Sequence, residues 1–106
     1  CLSLELEEKT EIAALQDLLR DFRAPIYRPN LPSMPLFPIA VREEVDRPQP
    51  RKDSNAGEGM QVSVGRIRPC PVLDVRIVSV VHNTLRGAAS GAILNAELLV
   101  AEGYLS

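Results

Sequence analysis

The sequence predicts an α+β domain with a small, mixed and largely antiparallel sheet and helices packed on one face. Two observations support this class. The apolar pattern runs in the order strand, helix, long proline-rich loop, two strands and helix. The chain of 106 residues, with 45% hydrophobic and 25% charged residues, has the composition of a soluble globular domain with one modest core.

The first 25 residues predict a strand followed by a helix. Leu2, Leu4 and Leu6 alternate with polar residues, as in a half-buried strand. Segment 11–22 then carries apolar residues at helical spacing, and Pro25 is expected to end this helix. Thr10 precedes it, and we expect its hydroxyl to cap the helix N-terminus. The predicted apolar stripe is Ile12, Leu15, Leu18, Leu19 and Phe22.

The middle of the chain predicts loops. Residues 25–50 hold seven of the nine prolines, and a missing N–H at each excludes a central strand from most of the segment. Residues 37–41 are long enough for a short edge strand between prolines. Segment 51–59 is polar and contains two glycines, so we expect an exposed, mobile loop there.

The second half predicts an antiparallel hairpin. Residues 60–67 alternate between apolar and polar or small side chains, and residues 73–81 are rich in β-branched residues. Segment 68–71, which contains two prolines, is expected to form the turn between them. Two strands with so short a connection are most simply a hairpin.

A second helix is expected to follow Asn83 and Thr84, which would cap it, and Gly103 lies where a C-terminal cap belongs. The period of the apolar residues changes to that of a helix after these two residues. The face expected to be buried consists of Leu85, Ala88, Ala89, Ala92, Ile93, Ala96, Leu99 and Val100.

Composition argues against several classes of function. The net charge of −2 and the pI of about 5.4 give no electrostatic reason to expect a nucleic acid or anionic membrane partner. No apolar run approaches the roughly 18 to 20 residues that span a bilayer, and no signal-peptide pattern is present, so we expect a cytoplasmic protein. Cys1, Cys70 and one histidine form no disulfide framework or zinc spacing, and we expect the Cys70 thiol to be inert.

The segment around the second helix start is the most informative. Asn83 and Thr84 precede a run of small residues, 87–91, which lets a backbone or a flat ligand approach closely. Tight helix–sheet packing is one explanation, and a cofactor or subunit interface is the other. His82 is the single histidine, and a structural or substrate-adjacent role is favoured over that of a general base.

Arg47 and Arg51 flank the proline-rich stretch Arg47-Pro-Gln-Pro-Arg51. Their guanidinium groups could contact a substrate phosphate, or they could brace the long loop against the sheet. We favour bracing.

Several segments together resemble a known family. They are Asn83–Ala89 with Leu94–Leu98, then Asp46–Arg51 with Asp53 and Met60–Arg68, and finally Cys1–Leu6. The first group resembles the closing helix of aspartate-semialdehyde dehydrogenases, where an Asn-x-x-x-Gly-Ala-Ala motif opens the helix. The second is similar to the fungal and archaeal branch of that family, and the third to the strand after its catalytic histidine. The resemblance covers nearly the whole chain, in order.

The resemblance implies an NADP-dependent oxidoreductase. Such enzymes reduce β-aspartyl phosphate to aspartate semialdehyde with NADPH, in the biosynthesis of lysine, threonine and methionine. A cysteine forms a thioester, a histidine moves protons, and an arginine holds the substrate carboxylate. An N-terminal Rossmann domain carries NADP, and the remaining domain forms a homo-oligomer, a dimer or higher.

Little of that machinery falls within this chain. The nucleophilic cysteine and the acid–base histidine are expected upstream of Cys1, so we assign no catalytic and no metal-binding residue. Residues 1–106 are then the C-terminal part of the catalytic and dimerisation domain, without its Rossmann domain, and are expected to be inactive alone. Asn83 and Thr84 are the residues expected to bind the cofactor. Segment 87–91 is Gly-Ala-Ala-Ser-Gly where the family has Gly-Ala-Ala-Gly-Ala, so it departs from the family at residues 90 and 91.

A different class of function remains open on sequence alone. The same elements could form a non-enzymatic α+β interaction module whose exposed sheet face binds a partner. An upstream Gly-rich strand–turn–helix and a Ser-Asn-Cys motif would exclude that alternative.

Overall fold

A computed structural model of the chain describes residues 1–24 and 31–106. The elements, in order, are β1 (Leu2–Leu4), α1 (Ile12–Asp21), β2 (Ile39–Arg42), α2 (Pro50–Asp53), β3 (Val62–Pro69), β4 (Val75–Val80), a π-helical turn (Leu85–Ala89) and α3 (Ser90–Ala101). The sheet has the order β1-β4-β3-β2, with β2 parallel to β3 and the other pairs antiparallel. The α+β class and the largely antiparallel sheet are confirmed. The expected helix stop at Pro25 lies outside the described residues.

The β3–β4 hairpin is confirmed, and it contains a bulge. Gly65 pairs with Val78 and Arg68 with Arg76, so one extra residue lies on β3 between these pairs. Arg66, within this bulge, has a φ of 49°. Because the extra residue shifts the alternation, Val64 and Ile67 both reach the core although they are three positions apart.

The core lies between one face of the sheet and α1. Its buried side chains are Val64, Ile67, Val75 and Ile77, and α1 packs on them through Ile12, Leu15 and Leu19. Val75 is only 1% exposed. Burial of each such side chain contributes roughly 1.5 to 3 kcal/mol. The predicted helix over residues 11–22 is therefore confirmed. Of its predicted apolar stripe, Ile12, Leu15 and Leu19 reach the core, whereas Leu18 and Phe22 are 68% and 44% exposed.

The predicted cap of α1 is wrong. Thr10 Oγ1 donates to the carbonyl of Glu8 at 3.3 Å, and Glu11 takes the cap position without a side-chain cap bond. The hydroxyl is engaged locally in the preceding turn, which competes with capping.

The predicted loop over residues 51–59 is wrong in part: residues 54–58 form an exposed or half-exposed turn as expected, but the segment has a helical start. It begins with α2, and Asp53 at the end of α2 is completely buried. Arg47 Nε donates to Asp53 Oδ2 at 2.7 Å, and the backbone N–H of Gln49 donates to the same oxygen at 2.7 Å. Arg42 Nε lies 2.9 Å from Asp53 Oδ1 as an ion pair. We call Arg42, Arg47 and Asp53 the buried ion cluster. The ion pairs of this cluster hold residues 47–53, part of which was predicted as a loop from its composition.

The favoured bracing role is confirmed in part. The Arg47 guanidinium braces this segment internally through Asp53, and Arg42 of β2 links Asp53 to the sheet, whereas Arg51 is exposed. The Arg47–Pro48 peptide bond is cis. This segment lies close against β3. A Cβ on Gly65 would be 2.7 Å from the Arg47 carbonyl oxygen and 3.0 Å from that of Arg42. Only glycine leaves room for this approach.

The predicted buried face of α3 is wrong. Ile93 and Val100 are each 54% exposed, whereas Leu94, Glu97 and Leu98 are partly covered. The covered side faces residues 31–38, where the backbone N–H and the hydroxyl of Ser33 donate to Glu97 at 3.0 and 2.8 Å. The apolar residues of α3 lie on most sides of the helix, so the apolar period could not indicate which face is buried.

The predicted C-terminal cap is confirmed. Gly103 has a φ of 80°, and its N–H donates to the Val100 carbonyl at 3.0 Å. Tyr104 N–H donates to the Leu99 carbonyl at 2.9 Å, which completes a Schellman motif. In the described ranges, no helix combines the length and apolarity needed to cross a membrane.

Candidate functional site

The site begins where β4 leads into the last helical segment. The helix starts with a π-helical turn, in which Gly87 N–H donates to the His82 carbonyl at 3.3 Å and Ala89 N–H to the Thr84 carbonyl at 2.9 Å. Such turns occur frequently at functional sites. The sequence predicted a helix at this position but not its π-helical start.

His82 caps the π-turn. Its Nδ1 accepts a hydrogen bond from the backbone N–H of Leu85 at 3.2 Å, and Thr84 Oγ1 lies 3.2 Å from the same nitrogen. The expected capping by Asn83 and Thr84 side chains is therefore wrong, since Thr84 makes no side-chain cap bond. Because an N–H donates to Nδ1, that nitrogen carries no proton, and the neutral ring holds its proton on Nε2. The structural role for His82 agrees with the favoured interpretation.

Two further contacts fix the π-turn to the start of β3. Arg86 Nη1 donates to the Met60 carbonyl at 2.7 Å. Gly59, with a φ of 80°, packs so closely on Leu85 that a Cβ there would be 2.5 Å from Leu85 Cδ1. Arg86 was not predicted as a site residue, because no spacing pattern in the sequence identifies it.

A groove of about 400 Å³ runs beside the π-turn. Its lining residues are Met60, Arg86, Gly87, Ala88, Gly91, Ala92, Leu94 and Asn95. Asn83 Oδ1 lies 3.4 Å from where a Cβ on Gly87 would be, so the amide reaches the edge of this groove. Asn83 and Thr84 are both exposed.

This arrangement suits one end of a nicotinamide cofactor. The Asn83 amide can both donate and accept, which matches a carboxamide, and the missing side chain of Gly87 leaves room for a flat ring. The groove offers less to phosphates. Among the described residues, Arg86 is the cation that lines it, and its Nη1 already binds the Met60 carbonyl.

Cys70 lies at the opposite end of β4, in the turn between β3 and β4. It is 8% exposed. Hydrogen bonds from the backbone N–H groups of Leu73 and Val72, with contributions from Ser3 and Arg76, lower the pKa of this thiol to about 7. The thiol is thus more acidic than its sequence context indicated, because turn geometry supplies the donors.

Comparison with known proteins identifies the family. The semialdehyde dehydrogenase dimerisation domain matches residues 1–86. The chain belongs to this family. It is 37% identical over 107 residues to the aspartate-semialdehyde dehydrogenase of Cryptococcus neoformans, covering 99% of this chain and 29% of that protein. The malonyl CoA reductase (NADP) of Metallosphaera sedula is 40% identical over 101 residues, covering 93% of this chain and 28% of that protein.

A solved structure shows the same fold. The crystal structure of aspartate-semialdehyde dehydrogenase with NADP from Candida albicans superposes with a TM-score of 0.84 at 36% identity, covering 99% of this chain. The chain spans about 29% of the length of that protein. The resemblance read from the sequence is therefore confirmed. The family match ends at residue 86, within the π-turn, so α3 lies beyond it.

Proposed function

We propose that this chain forms the C-terminal part of the catalytic and dimerisation domain of an NADP-dependent aspartate-semialdehyde dehydrogenase. The observation that carries the proposal is the superposition on the Candida albicans enzyme with NADP over 99% of the chain. The dimerisation domain match supports a homo-oligomer. The whole protein would act on a small molecule in the biosynthesis of lysine, threonine and methionine, in the cytoplasm and without nucleic acid or membrane partners.

Within the proposed site, Asn83 and Thr84 bind the nicotinamide end of NADP. The cofactor, when bound, supplies the hydride chemistry. The Asn83 amide orients the ring by hydrogen bonding, and Gly87 leaves room beside it. The adenine end and the phosphates would bind an N-terminal Rossmann domain, whose helix N-terminus and glycine-rich turn suit them.

The isolated chain is proposed to be inactive for the same reason. It offers contacts to only one end of the cofactor, and the cysteine nucleophile and proton-transferring histidine of the family would come from the remainder of the protein. His82 Nδ1 is occupied as a helix cap, which leaves it unsuited to accept a proton there. The alternative, an interaction module without enzymatic activity, lacks the support of named relatives.

The relative named malonyl CoA reductase (NADP) defines a second candidate within the same chemistry. Its identity to this chain is comparable to that of the Cryptococcus protein. The two candidates differ in their substrates, aspartate semialdehyde and malonyl CoA. Rates with aspartate semialdehyde plus phosphate and with malonyl CoA distinguish the two.

The cofactor contact is tested by N83A in the full-length protein. We expect the KM for NADP to rise about 3- to 10-fold, since a lost uncharged hydrogen bond costs roughly 0.5 to 1.5 kcal/mol. The measurement is the initial rate of NADPH formation as a function of NADP concentration. N55A is the matched control, because Asn55 is exposed in the turn after α2 and should leave the KM unchanged. An unaltered KM in N83A would remove Asn83 from the cofactor site.

A further inference from the structure

We infer that His82 is a positioning residue for the cofactor site, acting as the hydrogen-bond acceptor that fixes the π-turn and the two residues that bind the cofactor. This rests on the proposed role of Asn83 and Thr84. The inference concerns His82 itself, which would touch neither cofactor nor substrate.

The geometry places His82 at the point that determines this turn. Its imidazole folds forward over the next three residues, so that Nδ1 meets the Leu85 N–H and the Thr84 hydroxyl, each at 3.2 Å. Asn83 follows His82 in the chain and precedes Thr84 and Leu85, the two residues that the His82 ring contacts. Its backbone is therefore held on both sides, by the end of β4 and by the cap.

Other contacts hold the turn further along and leave this task to His82. Arg86 binds the Met60 carbonyl, and Leu85 packs on Gly59, so the body of the π-turn is anchored to the start of β3. Neither contact reaches residues 82–84. There the backbone bond from Gly87 N–H to the His82 carbonyl holds the peptide that joins His82 to Asn83, and the His82 ring supplies the side-chain contact. No other side-chain cap at Thr84 is present in the described structure. Loss of the His82 acceptor would release the first N–H of the turn and the Thr84 hydroxyl together.

The cap requires the hydrogen-bond acceptor at the position of His82 Nδ1. Because Leu85 N–H donates to Nδ1, the ring is in the tautomer with its proton on Nε2. An asparagine at this position can place Oδ1 near the position of Nδ1, whereas a glutamine places its oxygen one bond further out. H82N should therefore preserve the cap, and H82Q should not.

The first test is the tautomer in the 106-residue chain. His82 is the only histidine, so its ring nitrogens are identified without ambiguity by ¹⁵N NMR at neutral pH. We expect a protonated Nε2 and an unprotonated Nδ1, with a Leu85 amide protected from exchange. A ring protonated on Nδ1 would overturn the inference, whatever the enzymatic activity of the whole protein.

The second test separates positioning from plain stability. In the full-length protein we expect H82A to raise the KM for NADP about 3- to 10-fold, the loss expected when a neighbouring contact is misplaced. H82N should return it to within about twofold of wild type, and H82Q should not. S33A is the control, because it removes a bond to α3 far from the cap and should lower Tm without changing the KM.

The outcomes are distinct. Equal KM values in H82N and H82Q, or an H82A protein with an unchanged KM, overturn the inference. If H82A does not fold, the comparison of H82N with H82Q still decides. An inactive wild-type protein would instead contradict the proposed function and leave the NMR result to decide on the cap.

Discussion

Replacing Asp53 by asparagine is expected to destabilise the fold by about 3 to 5 kcal/mol, a large part of the total stability of a domain of this size. Asparagine keeps the volume of Asp53 but removes the charge that neutralises Arg42 and Arg47 in a fully buried position. The charge-assisted hydrogen bonds of Asp53 are lost, and its two arginine partners, 29% and 19% exposed, keep their charge without a carboxylate in a partly desolvated site. The measurement is urea unfolding followed by circular dichroism at neutral pH.

The control for this variant is D46N. Asp46 accepts from Lys52 at 2.8 Å, but it is about half exposed, so its loss should change the free energy of unfolding far less than that of Asp53. A D53N protein within about 1 kcal/mol of wild type would contradict a stabilising role for the buried ion cluster.

The same cluster predicts how stability changes in acid. The hydrogen bond from Arg47, followed by that from Gln49 N–H and the charge of Arg42, lowers the pKa of Asp53 to about 2. A carboxyl with a lowered pKa stabilises the fold above its unfolded pKa of about 4 and loses this contribution as pH falls from about 4 toward 2. D53N should lack this acid-dependent component.

Replacing Gly65 by alanine is expected to destabilise the protein by about 3 kcal/mol, at the upper end of the cost of overpacking. The added methyl group would lie 2.7 Å from the Arg47 carbonyl oxygen and 3.0 Å from that of Arg42. Both obstacles are backbone atoms, which cannot rotate away as a flexible side chain could. The segment that carries the buried ion cluster would have to move off β3.

The matched control is G87A. A Cβ at Gly87 meets nothing closer than the Asn83 side-chain oxygen at 3.4 Å, so alanine should be neutral or stabilise the helix by about 0.5 to 1 kcal/mol. Urea unfolding of both variants gives the comparison. The double variant G65A/D53N should lose less free energy of unfolding than the sum of the two single losses, since both substitutions disturb Arg47. A G65A protein as stable as G87A would contradict the close approach.

Much of the fold follows from the sequence because its signals are local. The alternation in residues 2–6 and 60–67, the β-branched run in 73–81 and the helical spacing in 11–22 each report the local period of a single element. Gly103 could be recognised as a cap because few other residues adopt its positive φ. These signals need no knowledge of distant partners.

The wrong predictions concern features that a local pattern does not encode. They depend on a partner far away in the chain or on competition between nearby hydrogen-bond donors and acceptors. Asp53 looked like a loop residue because its arginine partners are identified only by the folded arrangement. The covered face of α3 is the one whose Glu97 binds Ser33, 64 positions away in the chain. The apolar period of α3 does not indicate this face.

The candidate site divides in the same way. The motif identifies Asn83 and Thr84, and the Asn83 amide reaches the edge of the groove, but the capping role expected of both residues belongs to His82. The π-helical geometry that places His82 over Leu85 has no simple sequence pattern. The motif therefore indicates where the site lies in the chain but not which side chain fixes its backbone.

We propose that this chain is part of an NADP-dependent aspartate-semialdehyde dehydrogenase and contributes only one side of its active site. The most direct measurement is the rate of NADPH formation from NADP, aspartate semialdehyde and phosphate, for the full-length protein and for the 106-residue chain alone. We expect a substrate-dependent rate from the full-length protein and a rate from the isolated chain no greater than that of a buffer blank. Absence of activity in the full-length protein, or activity in the isolated chain, would contradict the claim.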